Sequence, residues 1–69
     1  MFQFREENTA LQAAKLLAVY ERTPVLVMTR GMLNVFSIGS WNSPAIHQAG
    51  RHMATVHSSG QVELHGTAT

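Results

Sequence analysis

Two apolar runs, Val25-Leu26-Val27-Met28 and Met32-Leu33-Asn34-Val35-Phe36-Ser37-Ile38, are separated only by Thr29-Arg30-Gly31. Short β-branched runs around a glycine-containing break pair as a β-hairpin. Neither run alternates cleanly between apolar and polar residues, so both faces of the hairpin need cover. A chain of 69 residues has little to supply it. Domains of that size hide only about 60% of the surface their unfolded form exposes. A helix on one face and a partner molecule on the other is the expected solution.

The turn sets the expected register. A two-residue Arg30-Gly31 turn would force Arg30 to positive φ, which a side chain resists. A three-residue Thr29-Arg30-Gly31 loop needs the left-handed conformation only at Gly31, as in a G1 bulge. Met28 then opposes Met32, Val27 opposes Leu33, Leu26 opposes Asn34 and Val25 opposes Val35. One face carries Val25, Val27, Leu33 and Val35, suited to lie beneath a helix. The other carries Leu26, Met28, Met32, Phe36 and Ile38 and is the surplus. With Trp41 added, these residues form the candidate interface: Leu26, Met28, Met32, Phe36, Ile38 and Trp41. Methionine and aromatic residues are enriched at interface centres, and thioethers adapt to irregular partners. The competing reading buries the same residues within the chain, beneath a second helix or the last hairpin.

The remaining elements follow from local chemistry. Phe2 and Phe4 alternate with Gln3 and Arg5, a short strand. Thr9 and Gln12 fit a capping box opening a helix from Ala10 to Arg22, with Glu6 and Glu7 favourable near its start. Ala10, Ala13, Leu16, Leu17 and Tyr20 gather on one side of it, opposite Gln12, Lys15 and Arg22. Thr23-Pro24 ends it. Ser43-Pro44 starts a short helix running to about Ala49, stopped by Gly50. In Met53 to His65, a Ser58-Ser59-Gly60 loop pairs Val56 with Val62 and Ala54 with Leu64 on one face. Met53, Thr55, His57, Gln61, Glu63 and His65 fall on the other. Residues 66–69 read as a frayed tail. The fold class is α+β in a single domain spanning 1–69. One main helix packs on a small antiparallel sheet of four to five strands, in the order β-α-β-β-(short α)-β-β.

Little in these residues points to chemistry. There is no cysteine, so disulfides and thiolate metal sites are excluded. His47, His52, His57 and His65 raise a metal reading. On a helix, however, His47 and His52 diverge by about 140°. On the last hairpin His57 and His65 lie roughly 13 Å apart along a strand. No metal or other cofactor is expected from one copy; a site shared across subunits escapes these spacings. Ser58 and Ser59 stand near His57 and Glu63, but an open hairpin tip lacks the elbow and oxyanion donors that activate a serine. No enzyme is expected.

Only 13% of residues are charged and the net charge is +1, a weak long-range pull on nucleic acid or anionic membrane. A nucleic-acid role would use the sheet with Arg30, Arg51 and Trp41. No apolar run approaches the ~20 residues of a membrane span. The start carries acids rather than the bases and apolar stretch of a secretory signal, so a cytoplasmic location is expected. The favoured function is a non-enzymatic protein–protein interaction module. It self-associates as a homodimer and serves as an accessory or inhibitory protein of an unidentified protein target.

Overall fold

The computed structural model describes residues 1–65, and the expected tail at 66–69 lies outside them. The elements are β1 (Phe2–Phe4), α1 (Glu7–Glu21), β2 (Val25–Arg30), a 3-10 turn (Gly31–Leu33), β3 (Val35–Ser40), α2 (Pro44–His47), β4 (Arg51–Val56) and β5 (Val62–Leu64). The five strands form one antiparallel sheet in the order β1-β3-β2-β4-β5. This is the α+β order read from the sequence.

Helix α1 begins three residues before the expected capping box. Glu6 is its N-cap, and the Thr9 hydroxyl donates to the Glu6 carboxylate at 3.3 Å. Arg22 closes it in the left-handed conformation, its amide donating to the Ala18 carbonyl. Pro24 bars any continuation. The buried stripe is Ala10, Ala14 and Ala18, not the leucines and tyrosine. At four-residue spacing these small side chains lie on one line, which lets the helix backbone approach the sheet. Beneath them sit Val25, Val27, Ile38, Ala54 and Val56. Full burial of each valine or isoleucine is worth about 1.5–3 kcal/mol. The bulk that fills this layer comes from the strands.

The first hairpin departs from the expected register. Val27 opposes Ile38, Met28 opposes Ser37 and Leu26 opposes Gly39. The turn sits further along: Gly31–Leu33 make the 3-10 turn, and Asn34, not Gly31, takes the left-handed position at φ 52. Asparagine tolerates that conformation better than most side chains. The gain is in packing, because this register puts Val25, Val27, Phe36 and Ile38 together under α1. The Gly31 register would have used Leu33 and Val35 there instead.

The second face of the sheet is covered from within the chain. Ile46 of α2 is fully buried against Leu26 and Met28. Gly39 makes room: a Cβ there would lie 3.3 Å from Cβ of Ile46. Arg30 fastens the end of this cover, Nε donating to the Ala49 carbonyl at 3.0 Å and Nη2 to that of Gln48 at 3.2 Å. Gly50 has φ 147, and a Cβ there would fall 2.5 Å from the Thr29 carbonyl oxygen. Only glycine fits that junction.

The last hairpin forms in its expected register, Val56 with Val62 and Ala54 with Leu64, with Gly60 at φ 96. One residue differs. A bulge where β4 crosses Met28 sets His52 opposite Met28 and turns Met53 to the α1 side, where it packs on the core.

Candidate interaction surface

With Ala10, Ala14 and Ala18 buried and Leu11, Ala13 and Leu17 half-buried on the core, Leu16, Val19 and Tyr20 of α1 are left without cover. At 100° per residue, Leu16 lies about 160° and Tyr20 about 120° round the helix from Ala14, on the side towards β1. They are 75% and 86% exposed, and Val19 and Phe2 are more than half exposed. Phe2, Phe4, Ala13, Leu16, Leu17 and Tyr20 line an open groove of about 300 Å³ between α1 and β1, floored by Ile38. No charged side chain lines it.

The same end of the molecule presents an open strand edge. The Trp41 amide donates to the Pro24 carbonyl at 3.0 Å, and the His57 amide to the Gln61 carbonyl at 2.9 Å. Antiparallel ladders alternate hydrogen-bonded and non-bonded pairs. Counting from either bond across the sheet gives one answer: Phe36 and Ile38 turn their peptide groups towards β1, where they meet Phe4 and Phe2. The N–H and C=O of Gln3 therefore point off the edge, with no strand partner among the described residues.

The six expected interface residues scatter. Leu26 and Met28 are buried under Ile46, and Ile38 is buried under α1. Phe36 packs partly against the same core. Their burial corrects the surplus face, because α2 reaches Leu26 and Met28 and the shifted register moves Phe36 and Ile38 to the helix side. Met32 is 99% exposed at the tip of the first hairpin, and Trp41 is half exposed. Those two do not join one surface with the others. Leu16 and Tyr20 were missed because periodicity sets them with Ala10, Ala13 and Leu17 on the side expected to be buried, whereas the helix packs on Ala10, Ala14 and Ala18; Phe2, on β1, and Val19 lie outside that pattern.

A second cluster lies on the α2 side of β4 and β5. The rings of His52 and His65 stack with centroids 4.3 Å apart. His52 Nε2 lies 3.1 Å from the Ala54 carbonyl and 2.9 Å from Thr55 Oγ1, which lies 3.3 Å from His65 Nε2. One self-consistent pattern has His52 N–H donating to both oxygens and the Thr55 hydroxyl donating to a neutral His65. His57 Nε2 donates to Glu63 Oε2 at 3.0 Å, a bond that becomes an ion pair when the ring is protonated. Burial holds the pKa of His52 below its ordinary value; His65 and, more weakly, His47 add to this, while the Ala54 carbonyl opposes it. His57 and His65 share a face as expected, but the bulge brings His52 to it, and no sequence signal marked that bulge. Among the described residues, no three histidine or carboxylate groups converge closely enough to hold a metal ion.

Arg30 is engaged with the two carbonyls after α2, and His47 binds the Trp41 carbonyl through its ring nitrogen. No helix among the described residues is long and apolar enough to cross a membrane. Comparison with protein-family models, curated proteins and solved structures finds no match to this chain.

Proposed function

We propose that this chain is a non-enzymatic protein-binding module that works as a homodimer, in the role of an accessory or inhibitory protein. The observation that carries the reading is the apolar strip of Phe2, Leu16 and Tyr20 beside an open strand edge. An uncharged apolar strip favours another apolar surface over nucleic acid or an anionic ligand. Met32 and Leu33 at the hairpin tip form a separate exposed pair, suited to hold a further protein target. The absence of cysteine suits a reducing cytoplasm.

Light scattering from low micromolar to millimolar concentration tests the self-association. A dimer is expected for the unaltered chain, with Leu16→Lys and Tyr20→Lys each weakening it at least tenfold. A monomer throughout that range contradicts the reading. The nucleic-acid alternative loses weight because the Arg30 guanidinium already binds two backbone carbonyls. A shift of mixed DNA or RNA on a gel at ~50 mM salt, where phosphate binding is strong, would restore it.

A further inference from the structure

We propose that a second copy of this chain adds to the β1 edge, antiparallel and about a twofold axis through Gln3, joining two five-stranded sheets into one of ten strands. The inference rests on the self-association proposed above and names the surface and geometry that perform it.

The edge is complementary to itself. Antiparallel pairing centred on Gln3 makes Gln3 and its counterpart a hydrogen-bonded pair, using the N–H and C=O that the β1–β3 ladder leaves facing outward. The strand reads Phe-Gln-Phe, so the same operation sets Phe2 opposite the partner's Phe4 at a non-hydrogen-bonded position. Side chains approach most closely at such positions, and aromatic cross-strand pairs are favourable there. Both phenylalanines lie on the α1 side and line the groove.

Spacing and area agree with a second copy. Three strand steps separate β3 from its counterpart, roughly 14 Å at 4.8 Å per step. Packed helices lie about 8–10 Å apart, so two α1 helices over their β3 strands leave a gap. Leu16 and Tyr20 of both copies stand beside that gap and have the bulk to fill it. On ordinary residue areas, the exposed parts of Phe2, Leu16 and Tyr20 come to roughly 450 Å² per copy. Doubled, that is roughly 900 Å², and the exposed Gln3 at the centre of the pair brings it to the total of about 1,000 Å² that a specific interface should clear.

The other edge of the sheet does not offer the same fit. Twofold pairing of β5 about Glu63 would set two carboxylates opposite each other, and directly opposed like charges are destabilising. Strand β1 has no charge, proline or bulge between Phe2 and Phe4, the devices by which edges resist pairing.

Sedimentation equilibrium on Gln3→Pro and Gln3→Thr tests the geometry. Proline removes only an N–H that points away from β3, a position where edge strands tolerate it. Threonine keeps the N–H. Gln3→Thr is expected to dimerise within about threefold of the unaltered chain, whereas Gln3→Pro weakens association by at least a hundredfold and keeps its circular dichroism spectrum. A Gln3→Pro dimer of unchanged affinity overturns the edge geometry while leaving self-association intact; a monomeric unaltered chain overturns both. Should Gln3→Pro fail to fold, hydrogen exchange at the Gln3 amide of the unaltered chain decides. Protection that rises with protein concentration supports the pairing, and exchange at the unprotected rate in a dimeric sample refutes it.

Discussion

The centre of the sheet and its β1 end treat apolar residues in opposite ways. Along β2, Val25 and Val27 lie under α1 while Leu26 and Met28 lie under Ile46, and all four are buried. At the β1 end, Phe2, Leu16 and Tyr20 are large, apolar and mostly in water. The difference comes from where small residues fall. Ala10, Ala14 and Ala18 let α1 settle on the strands, and Gly39 lets Ile46 settle on the opposite face. Settling α1 on its alanines turns its leucine and tyrosine outward. A small core is closed at the centre by displacing bulk to one edge.

The largest effect should appear where closure depends on one side chain. Ile46→Ala is expected to cost about 2–5 kcal/mol, because nothing else on α2 is buried over Leu26 and Met28. Urea unfolding in a Leu16→Lys background, which removes the contribution of self-association, measures this. A loss below 1 kcal/mol would mean that Ile46 does not close the second face. Gly50→Ala should come next, at about 1–3 kcal/mol, through its positive φ and the clash with the Thr29 carbonyl. The same titration reads it.

At the open end the expected effect on the monomer nearly vanishes. In the Gln3→Pro background, Leu16→Ala should change monomer stability by no more than about 0.5 kcal/mol, as exposed positions do. A larger loss would show that Leu16 supports the fold rather than an interface.

A dependence on pH separates the β4–β5 end from both regions. The His52 pKa is lowered in the folded state, so the unfolded chain binds the extra proton first. Its contribution to stability is complete above the ordinary value of 6.5 and is lost as pH falls from there through the lower folded value. His52→Gln should flatten that part of a melting-temperature profile. An unchanged profile would remove His52 as the cause.

The elements were legible in the sequence and the contacts between them less so. Proline at 24 and 44, glycine at 60 and the Val56–Val62 pattern mark features that local chemistry decides, and the last hairpin formed as read. The first hairpin did not, because glycine at 31 and asparagine at 34 both offer a left-handed residue and tertiary packing chose between them. The choice moved Ile38 and Phe36 under the helix and left Met32 and Leu33 at the tip. The bulge beside Met53 likewise exists only in the pairing of β4 with β2. Surplus apolar surface was legible from length and composition. Its location was not, since periodicity groups Ala10, Ala13, Leu16, Leu17 and Tyr20, whereas packing turns the helix about 100° round onto Ala10, Ala14 and Ala18.

An isotope-filtered NOE spectrum of a sample mixed from labelled and unlabelled chains tests the edge-paired dimer most directly. Intermolecular cross-peaks are expected to link the Phe2 and Phe4 rings, and Leu16 methyls to Tyr20, across two copies. Cross-peaks confined to other residues, or none at millimolar concentration, would contradict that dimer.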